Sequence, residues 1–144
     1  MKKVRVIVIR TAGTNCDVET AFAFELAGAS AELVHINELT RGERSLCDYH
    51  ILAIPGGFTY GDDIASGKIL ANEMRHRLEG DIRKFISDGK LIIGICNGFQ
   101  TLAKAGLLPN LAGDFKTEET TLTVNDSAKF EDRWVYLKKI KNQK

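Results

Sequence analysis

Apolar positions follow two alternating rhythms through the first two thirds of the chain. Residues 4–9 (VRVIVI), 31–36 (AELVHI), the run closing at Ile54 in "YHILAIPGG", and 91–95 (LIIGI) are short and rich in β-branched side chains. Each predicts a strand. The last, with Leu91, Ile92, Ile93 and Ile95 around Gly94, predicts a strand buried on both faces, as in a parallel sheet covered by helices. Between the strands the apolar spacing lengthens to three or four. Val18, Ala21, Phe22, Leu26 and Ala29 are the stripe expected to face inward on a first helix, which Gly28 ends and Thr14 and Asp17 open as a capping box. Leu70, Met74, Leu78, Ile82 and Phe85 predict one amphipathic helix over 69–86. Phe99, Leu102, Ala103 and Leu107 predict another from 97, stopped by Gly106 and Pro109.

Strands alternating with helices predict an α/β fold, a parallel sheet wound on both faces, whose site lies at the carboxyl ends of the strands. Four segments qualify: 10–16, 37–46, 55–68 and the turn at 94–98. Past Pro109 the pattern changes. "TTLTVND" and "RWVYLKKI", joined by "SAKFED", predict a short antiparallel hairpin or flap.

Composition narrows the classes further. The 144 residues are enough for a single domain with a sizeable core, and 44% hydrophobic content with a net charge of +1 argues against disorder or a nucleic-acid-driven function. No apolar run approaches a membrane span, and "MKKVRVIVIR" reads as a first strand rather than a cleaved leader. An odd count of three cysteines without paired spacing predicts reduced thiols in the cytoplasm. No metal-ligand spacing is present.

The chemistry concentrates where the fourth strand turns into a helix. Cys96 sits at that turn between Gly94 and Gly98, the arrangement of a tight elbow that presents a strained central residue outward, at a helix N-terminus whose partial positive charge favours the thiolate. The alternative for a lone Gly-x-Cys-x-Gly is a small buried hydrophobe. A second loop, "IPGGFTYGDDIASGK", follows the third strand directly. Its Gly57 N–H, with that of Asn97, the residue after the cysteine, is placed to receive an oxyanion. Asp62 and Asp63 are adjacent, so their side chains diverge; hydrogen bonds that order the loop are expected of them rather than a metal site. Cys16 is expected as a packed helix-start residue and Cys47 as incidental.

Taken together, "R-x-AGTNCD-x-E", "PGGF-x-YGD", "GICNGFQ-x-L" and "NDSAKFEDRWVYL", in that order and across nearly the whole chain, closely resemble the glutaminase subunits of phosphoribosylformylglycinamidine synthase. Those are class I, triad-type glutamine amidotransferases of purine biosynthesis. The resemblance implies a flavodoxin-like doubly wound sheet and hydrolysis of glutamine to glutamate and ammonia. It matches Cys96 to the nucleophile that forms a γ-glutamyl thioester, Gly57 and Asn97 to the oxyanion donors, and Gln100 to a glutamine-binding side chain. The segment carrying Asn125, Ser127 and Phe130 corresponds to the one that holds the substrate's α-amino and α-carboxylate groups. As partners it implies a large synthetase subunit, with ATP and Mg bound there rather than in this chain, and a small assembly subunit. No phosphate-cradling Gly-x-x-x-x-Gly-Lys-[Ser/Thr] sequence occurs.

One departure from the family pattern bears on activity. The family's triad ends in a His-x-Glu pair beyond residue 144, and none of His35, His50 and His76 is followed by Glu two positions on. His35, near a carboxyl edge, is the least unsuitable substitute base. The expected unit is therefore a single amidotransferase-like domain over 1–144, incomplete at its carboxyl end: a fragment, a truncated product or a divergent short paralogue. A non-catalytic assembly or regulatory module is the second reading. A chaperone or hydrolase of the wider cysteine-elbow superfamily is the third, disfavoured because Asn97 stands where such proteins commonly carry His. Trp134, Val135 and Leu137 on a final strand edge predict association, as a homodimer or with the synthetase.

Overall fold

The computed structural model describes residues 3–114, 117–136 and 138. Four parallel strands, β1 (Arg5–Arg10), β2 (Ser30–His35), β3 (Ile51–Ile54) and β4 (Leu91–Gly94), form one sheet in the order β2-β1-β3-β4. Continuous register carries β1 against β2 from Arg5↔Ser30 to Arg10↔His35, and β3 against β4 from Ile51↔Leu91 to Ile54↔Gly94. Five α-helices accompany them: α1 (Asp17–Leu26), α2 (Ile36–Thr40), α3 (Lys68–Arg77), α4 (Glu79–Ser87) and α5 (Asn97–Lys104).

Because strand side chains alternate, the sheet has two unlike faces. Ile7, Ile9, Leu52 and Ile54 bury themselves beneath Leu70 and Met74 of α3, Ile82 and Phe85 of α4 and Leu102 of α5, which makes the larger core. Val6, Val8 and Ala53 face the other way under Ala21 and Phe24 of α1. The doubly wound α/β architecture expected from the sequence is thus present.

Several local expectations are corrected. β4 is not buried on both faces: Ile92 packs on the larger core, whereas Leu91 and Ile93 are 65% and 42% exposed. The reason is lateral position. α1 lies over β1 and β2, and among the described residues no element covers β4 on that side. The stripe on α1 divides for the same reason. Ala21 and Ala29 pack with Phe24, but Val18, Phe22 and Leu26 are exposed on the helix flank, and the buried line includes Asp17, held by Arg10, and Thr20. Small side chains let the helix approach the sheet, and the large ones are turned aside.

The helix expected over 69–86 is two helices meeting at Leu78 (φ −122°, ψ 8°), which caps both. The apolar period crosses this break because both segments bury onto the same core. α1 opens at Cys16 rather than Thr14, whose Oγ1 instead accepts from the Thr11 N–H at 3.0 Å. α2 was not foreseen. His35 caps it, its Nδ1 accepting from Asn37 N while Glu38 accepts from His35 N, a capping box built on a residue type seldom used for it. The expected carboxyl-terminal hairpin is not formed among the described residues: 120–126 is in no strand, nor is 133–136, and Leu137, Lys139 and Ile140 lie outside the described residues.

Two glycines hold α5 against the strand ends. A Cβ on Gly98 would stand 1.9 Å from the Ile54 carbonyl oxygen, and one on Gly94 would stand 2.6 Å from that of Gly98. Neither neighbour is a yielding side chain end. Gly98→Ala is therefore expected to force α5 off β3 and to lower unfolding free energy by at least about 3 kcal/mol, the upper range of overpacking costs, despite alanine's better helix propensity. Urea denaturation followed by circular dichroism checks this; an unchanged midpoint would mean that α5 does not dock as described.

Candidate active site

Three of the four candidate loops converge at the carboxyl ends of β1, β3 and β4. The loop after β1 and the loop after β3 are tied together by backbone hydrogen bonds: Phe58 N to Gly13 O at 2.8 Å, Tyr60 N to Ala12 O at 2.8 Å and Cys16 N to Gly56 O at 3.1 Å. They approach so closely that a Cβ on Gly57 (φ +144°) would meet Asn15 N at 2.6 Å. The fourth loop, 37–46, carries α2 at the far edge of the sheet and takes no part.

Cys96 stands at the junction of β4 and α5 with φ 53° and ψ −111°, a conformation that L side chains rarely adopt, and its side chain is exposed. That geometry is the elbow expected from the sequence. Its strain persists because the surroundings over-determine it: Gly98 N donates to Ile95 O and Gln100 N to Cys96 O, on either side of the docked glycines.

Asn97, 1% exposed, joins the elbow to the β3 loop. Its Oδ1 accepts from Thr59 N at 3.1 Å and from Thr59 Oγ1 at 2.7 Å; its Nδ2 donates to Asp62 Oδ1 at 2.9 Å and Gln100 Oε1 at 3.2 Å. Asp62 also accepts from Ser66 at 3.1 Å, so its carboxylate orders the loop, as expected. The loop needs such ties, because Tyr60, Gly61, Asp62, Ile64 and Gly67 all have positive φ. Tyr60 adds another, donating to Glu73 of α3 at 2.7 Å. Its phenol is pushed up to about 12, first by burial and then by the hydrogen bond and charge of Glu73.

No hydrogen bond among the described residues uses the N–H of Gly57 or of Asn97. Gln100 lies one helical turn past Cys96 and lines a groove with Ser66, Lys104, Leu122, Thr123 and Val124. Asn125, Ser127 and Phe130 are placed differently. Asn125 Nδ2 donates to Lys129 O and Ser127 Oγ to Glu131, closing a local turn, and Phe130 is exposed. The structure therefore gathers Cys96, Asn97, Gln100 and the Gly56–Gly57 end of the β3 loop, while the described hydrogen bonds of the 125–130 turn are internal to it.

The histidines are all accounted for elsewhere. His35 caps α2 at the end of β2, across β1 and β3 from β4, about 14 Å away at the usual strand spacing. His50 accepts from Arg5 N at 3.0 Å at the opposite end of the sheet, and His76 lies exposed near the far end of α3. None is a base for Cys96. Among the described residues no His, Cys, Asp or Glu cluster suits a metal ion, and no helix is long and apolar enough to cross a membrane.

Two features of the site were not foreseen. Thr59 is the buried partner that locks Asn97; an Asn following the cysteine could have suggested a side-chain tie, but its partner 38 residues away left no local signal. Cys16 is at a helix start, as expected, but it is exposed rather than packed, and it lies across Gly56 from Cys96.

The elbow, the flanking N–H groups and the wound sheet define a class, and the chain belongs to it: residues 3–144 match the CobB/CobQ-like glutamine amidotransferase domain family. Among curated relatives, phosphoribosylformylglycinamidine synthase subunit PurQ of Dehalococcoides mccartyi is 53% identical over 95% of this chain and 53% of its own length. The PurQ subunit of Methanococcus maripaludis strain C5 is 44% identical over 93% of this chain and 50% of its own. A solved structure described as PurLQS from Thermotoga maritima is similar with a TM-score of 0.71 and 35% identity, over 93% of this chain and 54% of that one. The chain thus spans about half the length of the relatives it matches.

Asn97→Ala is expected to leave the buried Thr59 N–H and hydroxyl without a partner, at about 1–3 kcal/mol for each unsatisfied group. Hydrogen exchange should show residues 58–63 losing protection while β1 keeps its own; unchanged protection of Thr59 would refute the tie.

Tyr60 yields an alkaline signature. Its phenol ionises near 10 when unfolded and near 12 when folded, so its contribution is complete below about pH 10 and is lost as pH rises through about 12. Tyr49, raised to a similar value, behaves alike. Tyr60→Phe should therefore reduce the fall of the urea midpoint between pH 10 and 12 without abolishing it; an identical fall would exclude the Tyr60–Glu73 bond.

Proposed function

We propose that this chain is the cysteine-bearing part of a glutaminase that supplies ammonia for phosphoribosylformylglycinamidine synthase in purine biosynthesis, working with a synthetase partner that carries the ATP and Mg chemistry. The observation that carries the reading is Cys96 held at φ 53° in the elbow, with the N–H of the following Asn97 and that of Gly57, next to the Gly56 that adjoins Cys96, both without a partner among the described residues. The similarity to PurQ subunits and to a PurLQS structure supports the choice of pathway, the synthetase partner and a cytoplasmic setting.

In this reading the Cys96 sulfur attacks the γ-carboxamide carbon of glutamine. The negative charge that develops on the carboxamide oxygen falls between Gly57 N and Asn97 N, and each such donor contributes about 2.7–4 kcal/mol of transition-state stabilisation. Gln100 binds the substrate from the first turn of α5. The nitrogen leaves as ammonia once protonated, and water then cleaves the thioester. Both proton transfers need an acid–base group, typically a factor of 10²–10⁴, and no described histidine reaches Cys96 to provide it.

The 144-residue chain alone is accordingly expected to capture without releasing. Incubated with a chloroketone analogue of glutamine, it should form one covalent adduct, mapped by mass spectrometry to Cys96, while glutamine gives no steady ammonia above a Cys96→Ala blank. An adduct at Cys16 or Cys47 would sink the nucleophile assignment. Steady ammonia that Cys96→Ala abolishes would show a base within these residues.

A further inference from the structure

The nucleophile elbow has a second thiol for a neighbour. Cys16 caps α1 and Cys96 caps α5, so two helix N-termini from opposite faces of the sheet meet at the same carboxyl edge. What lies between them is Gly56. A Cβ built on that residue would stand 3.4 Å from Cys96 Cβ and 3.7 Å from Cys16 Sγ, and so the two cysteine atoms are at most about 7 Å apart. Cys16 is fixed there by its own backbone, through Cys16 N to Gly56 O at 3.1 Å. Both thiols are exposed, and the gap over Gly56 contains no side chain of that residue. Cys47 is remote from both. It lies in the turn at 46–48, where its carbonyl accepts from Lys90, the residue before β4, at the amino end of the sheet.

We propose that Cys16 and Cys96 form an oxidant-responsive thiol pair, in which a disulfide across Gly56 reversibly blocks the elbow cysteine. With hydrogen peroxide as the two-electron oxidant, the sulfur of one thiolate attacks a peroxide oxygen; an S–O bond forms, the O–O bond breaks and hydroxide leaves. The second sulfur then attacks the first, forming the S–S bond, and the sulfenic oxygen departs as water with the second thiol's proton. Two thiols and one peroxide give one disulfide and two waters. Closure requires Cβ atoms about 3.5–4.5 Å apart, so disulfide formation includes a shift of the Cys16 and Cys96 turns toward each other over Gly56. The disulfide itself is independent of the glutaminase reading; only its consequence for glutamine capture rests on it.

The test is peroxide titration of the dilute 144-residue chain, followed by non-reducing peptide mapping. The expected result is a Cys16–Cys96 linked peptide within one chain, Cys47 still free, and full recovery of three thiols with dithiothreitol. Cys16→Ser should instead carry Cys96 on to the sulfinic acid. Gly56→Ala adds a methyl group at ordinary contact distances from its neighbours, so the fold should tolerate it, and linkage should slow at least about tenfold because the gap is filled. Sulfinic Cys96 in the unsubstituted protein, linkage between chains, linkage through Cys47, or an unchanged rate in Gly56→Ala would each overturn the proposal. If the linked peptide forms but the chloroketone analogue still labels the oxidised protein, the pair stands and Cys96 is not the nucleophile.

Discussion

The first turn of α5 lies directly on the end of β3, with the Gly98 backbone where any side chain would overlap the Ile54 carbonyl oxygen. Much of the site depends on that approach. It draws the N-terminus of α5 down onto the sheet edge, leaves Cys96 to make the turn in a strained conformation, and brings Asn97 within reach of the β3 loop. Had the helix stood a few ångströms higher, the turn would not need a positive φ at the cysteine, and the Asn97 side chain would not meet Thr59.

The second organising feature is the division of labour at Asn97. Its buried amide is consumed by Thr59, Asp62 and Gln100, and through Asp62 it reaches Ser66. A loop with several positive-φ residues is inherently costly to order, and this buried network offsets that cost. The same network holds the loop that carries Gly57, whose N–H, like that of Asn97, has no partner among the described residues. Preorganised N–H groups suit charge that appears only in a transition state, since they need no reorganisation when it develops.

The uncovered side of β4 and the exposed flank of α1 share one sheet face. Val18, Phe22 and Leu26 on the helix and Leu91 and Ile93 on the strand are apolar and open among the described residues. In a chain that spans about half the length of its relatives, the larger core on the opposite face, built from α3, α4 and α5, carries most of the burial.

Local chemistry made much of this legible without a structure. Short apolar runs located all four strands, because each strand packs apolar side chains onto a core on at least one face of the sheet, and glycines at 94 and 98 marked the elbow, because a tight strand-to-helix turn excludes side chains. Sequence motifs likewise identified Gly57, Cys96, Asn97 and Gln100 as a group, and the fold brings them together. Other features depend on lateral position in the sheet, which no local pattern encodes. Whether Leu91 and Ile93 are covered, which side of α1 faces inward, and that His35 ends three strand positions away from β4 all follow from the strand order β2-β1-β3-β4. The partnership of Asn97 with Thr59, and the meeting of Cys16 and Cys96 over Gly56, belong to tertiary structure for the same reason. Each brings together residues dozens of positions apart, the first once α5 has docked on the end of β3 and the second once α1 and α5 lie on opposite faces of one sheet.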